Sequence, residues 1–238
     1  SSLITPKSED KYYSEKIIRL PDVSQCLTKP EFDIKISDLP AKKNNYVTFG
    51  CFNQFAKINN VVIKLWSKIL LSVKNSKILL KSSEFSNIEI TQKTLEEFNK
   101  HGIEKDRIIF KGKSNTRREV LDTYNLIDIS LDPFPFQGNT STYESIWMGV
   151  PVLTIKGDRH LSHFGESINF NLGMKDWIAT TQDDYLQKAI KFSSQIEKLS
   201  STRNSLRSNA LSSPIFDSKR LSEHFDKMFW TMWKNFKK

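Results

Sequence analysis

The chain has 238 residues, 38% of them hydrophobic, and a formal net charge of +9 from 36 Lys and Arg against 27 Asp and Glu. Its length fits one large folded unit, and the absence of any run of 18 apolar residues argues against a membrane-spanning helix. Cys26 and Cys51 are too few for a disulfide framework or a cysteine-rich metal site, so we expect two reduced thiols in a cytoplasmic protein.

Residues 1–45 are polar and rich in lysine and lack a regular apolar pattern, which predicts a connector partly ordered by packing against the core. After residue 45, short apolar runs alternate with segments of helical periodicity. The helical segments begin near residues 61, 91, 116 and 140, and from residue 183 onward only helices are predicted. The predicted strands are residues 46–52, 77–81, 107–110, 128–132, 151–155 and 177–180.

Strands that alternate with helices are typical of βαβ units and a parallel sheet. We therefore predict an α/β fold, a Rossmann-like parallel sheet with a helical C-terminal extension. Residues 1–45 would be the connector, residues 46–182 the Rossmann-like domain, and residues 183–238 the C-terminal helices packing on it. The last helix, residues 221–236, carries aromatic side chains that we expect to pack onto the domain or, in part, against a missing partner half: Phe229, Trp230, Trp233 and Phe236.

Residues 131–152 indicate how the domain could bind an anion. They read as a strand, a turn of glycine and hydroxyl residues, a helix and the start of another strand. Such a turn places backbone N–H groups and small hydroxyls at a helix N-terminus, where the helix dipole favours a phosphate. A capping box, with Ser141 as the cap and Glu144 reaching back to it, explains the same residues, and the two interpretations are compatible.

The basic charges favour a small anionic ligand over a long polyanion. The densest cluster contains Lys111, Lys113, Arg117 and Arg118, all at one predicted junction between a strand and a helix. Aromatic and basic residues are not interleaved as on a single-strand platform, so we do not expect nucleic-acid binding. His160 and His163 lack a third ligand nearby, and we predict no metal site.

Four blocks of the sequence, residues 13–21, 47–58, 131–152 and 212–217, carry a resemblance to a known family. In their order and spacing they resemble the C-terminal half of the O-GlcNAc transferase and SPINDLY group, glycosyltransferase family 41. The resemblance covers nearly the whole chain from about Tyr13. It implies the donor half of a two-domain enzyme of the GT-B type, in which two Rossmann-like halves face each other.

The family reaction is the inverting transfer of a sugar from a nucleotide donor to a Ser or Thr hydroxyl of an acceptor protein. The resemblance therefore implies UDP-GlcNAc as the donor, with no metal or other cofactor. SPINDLY-type members use GDP-fucose, so that donor stays open, as does a non-catalytic nucleotide-binding module. The general base would belong to an upstream N-terminal half, which in relatives can follow tetratricopeptide repeats. No 34-residue repeat occurs in this chain.

The resemblance also assigns roles to individual residues. Gln54 and Lys57 match the positions that contact the donor diphosphate, with Lys57 as the catalytic cation. Glu144 matches an acidic position that accepts from the ribose hydroxyls. Lys113 and Ser114 belong to the loop that holds the base, but this loop lacks the family's His and is one residue longer, which weakens the inference of uracil. The second phosphate element is Gly138, Asn139, Thr140 and Ser141, with Asn139 where human-type enzymes have His.

Overall fold

A computed structural model describes residues 1–236 and shows one parallel sheet of six strands in that range. Every pairing between neighbouring strands is parallel. All six predicted strands are present, most of them shorter than predicted. Their bounds are Thr48–Cys51 (β1), Lys77–Lys81 (β2), Ile108–Lys111 (β3), Ile129–Leu131 (β4), Val152–Ile155 (β5) and Ile178–Ala179 (β6).

Helices connect the strands and extend the chain after the sheet. Asn59 caps the second of them, because its side-chain oxygen accepts from the backbone N–H groups of Val61 and Val62. The α-helices are Pro40–Asn44 (α1), Asn60–Ser72 (α2), Ile88–Asn99 (α3), Arg117–Thr123 (α4), Thr140–Trp147 (α5), Phe164–Asn171 (α6), Gln182–Ser194 (α7), Ile196–Leu211 (α8) and Ser218–Phe236 (α9).

Helices α6 and α4 differ from the sequence-based expectation, and α1 lies within the segment predicted as a connector. Helix α6 was not predicted, because its eight residues contain a glycine, a serine and two asparagines, which form helices poorly. Helix α4 ends at Thr123, and a 3-10 helix over Tyr124–Leu126 completes the segment predicted as one helix over 116–127.

The strand order is β3-β2-β1-β4-β5-β6, so the chain direction across the sheet reverses between β1 and β4. In parallel sheets the loops that leave the two central strands diverge at this point and open a crevice beyond their carboxyl ends. Gln54 and Lys57 follow β1, and residues 138–141 follow β4. The topology therefore brings two of the predicted anion-binding segments to the same crevice.

Residues 1–39 contain no strand and only a 3-10 helix over Lys7–Tyr12, yet they are packed against the domain. Leu20, Val23, Ile34 and Leu39 are buried. A connector partly ordered by packing against the core was predicted here. The division at residues 45 and 182 stays a prediction.

Helix α9 departs from expectation because none of its residues is buried. Phe229 is 57% exposed, Trp230 63% and Phe236 84%, so the interpretation that the closing aromatics pack this helix onto the domain is wrong. Near the start of α9, Arg220 Nε donates to Asp22 Oδ2 at 2.7 Å, and His224 Nδ1 lies 3.9 Å from the same oxygen. Among the described helices, none combines the length and the apolar character needed to cross a membrane.

Candidate functional site

Lys57 reaches from one side of the crevice to the other. It ends a 3-10 helix over Phe55–Lys57 that follows β1. Its Nζ donates to the backbone oxygen of Gln137 at 2.9 Å and to Asn53 Oδ1 at 3.3 Å. The same amine lies 3.8 Å from the centroid of the Phe136 ring, a cation–π contact. The predicted catalytic lysine is thus fixed against the loop that follows β4.

Burial changes the electrostatics of this amine. It lowers the pKa of Lys57, while the nearby Asp132 and Cys51 act in the opposite direction. A cation that is partly shielded from water attracts an anion more strongly than a fully hydrated one, because the local dielectric constant is lower. The amine is therefore well placed to bind a negatively charged group at the mouth of the crevice.

Asp132, directly after β4, organises the turn that follows it. Its carboxylate accepts from the backbone N–H of Gly138 at 2.7 Å and from Thr154 Oγ1 at 2.8 Å. Burial raises the pKa of Asp132 to about 7. Asp132 was not predicted as a site residue, although a carboxylate at the end of a buried strand was a signal that could have indicated it.

Position 138 needs glycine because neighbouring side chains approach its backbone closely. A Cβ on this residue would lie 2.6 Å from Ser141 Oγ and 2.9 Å from Asp132 Oδ1, too close for any other side chain without a shift. Glycine therefore allows the turn to pack directly against the first turn of α5.

The start of α5 differs from a capping box. Asn139 is the residue before the helix and makes no side-chain cap, and Ser141 Oγ donates to Asn53 Oδ1 at 3.1 Å. The capping-box interpretation is therefore wrong. Ser141 lies inside the helix, and its hydroxyl donates to the loop that follows β1. Within residues 1–236 the backbone N–H groups of Thr140 and Ser141 have no acceptor. These two N–H groups and the exposed Thr140 hydroxyl lie at the N-terminus of α5.

Asn139 is held by a residue far away in sequence. Its Nδ2 donates to Gln25 Oε1, and the backbone oxygen of Gln25 accepts from Tyr143 Oη at 2.9 Å. Gln25 lies in the irregular N-terminal segment, so that segment packs beside the turn that is predicted to bind an anion. No local pattern around Gln25 pointed to this contact.

Glu144 lies on α5 with its side chain only 14% exposed. Its Oε1 is 3.7 Å from Arg117 Nε on α4. Burial raises the pKa of Glu144, and Arg117 opposes this shift. The contact links the loop after β3 to the helix after β4. The ribose contact assigned to Glu144 stays a prediction.

The other three predicted site residues are Gln54, Lys113 and Ser114, and among the described residues the hydrogen bonds of Gln54 and Lys113 involve their backbone and not their side chains. Gln54 is exposed, and its backbone oxygen accepts from the N–H of Lys57 at 3.0 Å. Lys113 and Ser114 follow β3, where the N–H of Lys113 donates to Ser86 Oγ at 2.9 Å. Two strands lie between β3 and β4, and among the described residues no hydrogen bond joins Lys113 or Ser114 to Lys57. The structure therefore brings the two segments predicted to bind phosphate to one crevice, whereas the segment predicted to hold the base follows β3, at the edge of the sheet.

His160 and His163, the two histidines considered as metal ligands, lie between β5 and α6. His163 is buried between Glu166 Oε2 at 2.9 Å and Glu9 Oε1 at 3.1 Å, and these carboxylates raise its pKa. His160 Nδ1 lies 3.2 Å from Thr5 Oγ1. Within the described part of the chain, no group of three His, Cys, Asp or Glu side chains is arranged to hold a metal ion.

Curated proteins similar to this chain share one type of name. The chain is 33% identical to the probable UDP-N-acetylglucosamine–peptide N-acetylglucosaminyltransferase SPINDLY of Petunia hybrida, over 99% of this chain and 25% of that protein. It is 26% identical to the corresponding protein SEC of Arabidopsis thaliana, over 97% of this chain and 24% of that protein. The chain thus spans about a quarter of the length of the curated relatives it matches.

Solved structures agree on the fold. A mutant of the O-GlcNAc transferase of Thermobaculum terrenum superposes with a TM-score of 0.87 at 27% identity, over 98% of this chain and 44% of that chain. A glycosyltransferase of Rickettsia africae superposes with a TM-score of 0.56 at 15% identity, over 82% of this chain and 51% of that one, which supports the fold alone. The predicted GT-B-type Rossmann-like fold is confirmed.

The model of glycosyl transferase family 41 matches residues 36–225, which include every element from α1 to the start of α9. The predicted resemblance to the C-terminal half of the O-GlcNAc transferase and SPINDLY group is confirmed by this match and by the superposition. The chain belongs to glycosyl transferase family 41.

Proposed function

We propose that this domain binds the nucleotide-sugar donor of an inverting protein O-glycosyltransferase. The reaction would transfer N-acetylglucosamine from UDP-GlcNAc to a Ser or Thr hydroxyl of an acceptor protein. Membership of the family makes the chain a glycosyltransferase domain, whereas the donor and the acceptor are the proposed part. The expected cytoplasmic location belongs to the same proposal.

The observation that carries the proposal is the position of Lys57 beside the free N–H groups of α5. A sugar nucleotide releases a nucleoside diphosphate, so negative charge grows on the diphosphate as the bond to the sugar breaks. The Lys57 amine and the N-terminus of α5 would stabilise that charge without being reorganised, because the fold already holds them in place. This is the electrostatic role that a metal ion has in other transferases.

The remaining predicted residues surround this centre. Gln54 would donate its side-chain amide to the diphosphate, and Gly138, Asn139, Thr140 and Ser141 would form the second phosphate element. Glu144 would accept from the ribose hydroxyls. Lys113 and Ser114 would lie near the base, at the end of β3.

Two donors remain candidates. The names of the curated relatives, including those called SPINDLY, specify UDP-N-acetylglucosamine, which supports UDP-GlcNAc. The chain is closer to the SPINDLY protein of Petunia hybrida, at 33%, than to SEC of Arabidopsis thaliana, at 26%. Because the sequence resemblance left GDP-fucose open for SPINDLY-type members, this difference keeps the O-fucosyltransferase as the second candidate.

Sugar transfer would require a partner half in addition to this domain. The acceptor and its general base must be held against the donor, and such positioning supplies roughly 7–11 kcal/mol of a reaction barrier. Among the described residues, the carboxyl that acts on Lys57 is that of Asp132, and its oxygens already accept from Gly138 N–H and Thr154 Oγ1. We therefore expect the chain alone to bind donor and to transfer no sugar to a Ser- and Thr-rich acceptor, until an upstream N-terminal half is supplied.

Isothermal titration calorimetry with UDP, GDP, UDP-GlcNAc and GDP-fucose tests the proposal. We expect UDP and UDP-GlcNAc to bind more tightly than the guanine nucleotides. Tighter binding of GDP and GDP-fucose would reassign the donor. Negligible binding of all four, both alone and with the upstream half added, would favour a module without a catalytic role.

A further inference from the structure

Gln137 is a buried polar residue of the crevice that is bonded through both its side chain and its backbone. It is 0% exposed. Its Nε2 donates to the backbone oxygen of Ile155 at 2.6 Å, and its Oε1 accepts from the N–H of Gly165 at 2.6 Å. Its own N–H donates to Leu161 O at 3.1 Å. The amide orientation is unambiguous, because Ile155 O can only accept and Gly165 N–H can only donate.

These contacts fix residue 137 against three separate places in the fold. Ile155 ends β5, Gly165 lies in the first turn of α6, and Leu161 belongs to the loop between them. The Gln137 carbonyl shares a planar peptide group with the N–H of Gly138, which donates to Asp132 Oδ1 at 2.7 Å, so bonds on both sides of residue 137 restrict the direction of this carbonyl. That carbonyl accepts from Lys57 Nζ at 2.9 Å.

Lysine has a long side chain with several rotatable bonds, so an unanchored amine would occupy many positions. A fixed acceptor restricts it, and a restricted amine loses less freedom when an anion binds. The second acceptor, Asn53 Oδ1, is more distant at 3.3 Å. The carbonyl of Gln137 is therefore the stronger anchor of the two.

We propose that Gln137 is a positioning residue, whose buried side-chain amide sets the place of the Lys57 amine for the donor diphosphate. Gln137 need not touch the donor itself. This inference rests on the proposed function, because it gives Lys57 its ligand. The position of Lys57, which follows β1, would then depend on Gln137, which follows β4.

Asn169 provides a matched control. Like Gln137, it has a fully buried side-chain amide. It lies on α6, and its Nδ2 donates to Val152 O at 2.9 Å. Among the described residues it makes no hydrogen bond to Lys57 or Gln137. Asn169→Ala should therefore lower stability as a buried-amide deletion does, without changing the position of Lys57.

The test is a double-mutant cycle of UDP binding in the 238-residue chain. Gln137→Met keeps the side-chain volume but removes both amide bonds, and Gln137→Asn is the second variant in case the first does not fold. We expect Gln137→Met to weaken UDP binding roughly tenfold, a part of the 10- to 150-fold loss expected for Lys57→Ala. In the Lys57→Ala background the same substitution should change the Kd by less than about twofold.

An equal loss in both backgrounds, or a loss of the same size in Asn169→Ala, would overturn the proposal. A second readout does not depend on the donor. NMR titration of the Lys57 side-chain amine should show its pKa, lowered by burial in the parent, moving toward the ordinary value in Gln137→Met. If UDP does not bind the parent, the proposed function fails, and an unchanged Lys57 titration would then refute the positioning role separately.

Discussion

Ser141 Oγ donates to Asn53 Oδ1 at 3.1 Å, and that same oxygen accepts from the amine of Lys57 at 3.3 Å. Asn53 follows β1 and Ser141 belongs to α5, so one amide oxygen joins the two loops that diverge at the centre of the sheet. A hydroxyl and an amine thereby converge beside the free N-terminus of α5. An anion bound there would meet donors from both loops at once.

Lys57→Ala should weaken UDP binding by about 10- to 150-fold, because a hydrogen bond to a charged group contributes roughly 1.5–3 kcal/mol. Lys57→Arg should restore only part of the loss, since a planar guanidinium has a different reach and shape. Calorimetry measures both effects, with circular dichroism to confirm folding. Lys64→Ala, at an exposed lysine on α2, is the matched control. Parent-like binding by Lys57→Ala would remove this residue from the site.

Thr140→Val should cost less, about 0.5–1.5 kcal/mol of UDP binding energy, because it deletes one neutral hydroxyl from the first turn of α5. Valine keeps the β-branched shape, and the exposed position makes a change in stability small. Thr140→Ser retains the hydroxyl and should bind like the parent. If the serine and valine variants lose the same affinity, the hydroxyl is not a ligand.

The parallel strands were predictable because their residues are mostly small or apolar and are buried on both faces, as in Thr48–Cys51 and Val152–Ile155. Helix α6 was not, because it buries polar residues such as Glu166 and Asn169 in place of an apolar stripe. Helix α9 shows the reverse case. Its aromatic pattern correctly indicated a helix, but a pattern does not specify what the apolar face contacts.

The site was predictable only where local sequence carries the chemistry. Lys57 and the turn at Gly138 are local features, and both lie in the crevice. Asp132 and Gln137 act through bonds to Thr154, Ile155 and Gly165, which only the folded chain brings near. Asn139 and Gln25 are 114 residues apart, a contact that no local spacing could indicate.

Asp132 should give the fold a measurable pH dependence. Burial raises its pKa to about 7 from an ordinary value of 3.8, so the folded state holds a proton that the unfolded state releases. The resulting stabilisation is complete below about pH 4 and is lost as the pH rises toward 7, by at most about 1.4 kcal/mol per pH unit.

Asp132→Asn should remove this contribution, because asparagine is neutral throughout and can still accept from Gly138. Between pH 4 and 7 the free energy of unfolding of the parent should therefore fall relative to that of the variant. Urea unfolding at several pH values measures it. Asp128, whose pKa burial raises to about 6, is present in both proteins and cancels in the comparison. Identical pH slopes would mean that Asp132 is ionised in the fold.

Removal of divalent metal should leave UDP binding unchanged. In the proposed site the charge of the diphosphate is met by Lys57, the α5 N-terminus and hydroxyl groups. Calorimetry in EDTA and in excess Mg²⁺ or Mn²⁺ compares the two conditions directly. A large loss of affinity in EDTA that either metal restores would require a metal ion in the donor complex.

The most direct measurement is a crystal structure of the chain with UDP. We expect a diphosphate oxygen at hydrogen-bond distance, about 2.7–3.2 Å, from the Lys57 amine and from the backbone N–H groups of Thr140 and Ser141. The ribose should lie toward Glu144. A diphosphate bound elsewhere on the domain, with Lys57 still directed at Gln137 and no ligand beside α5, would contradict the proposed donor site.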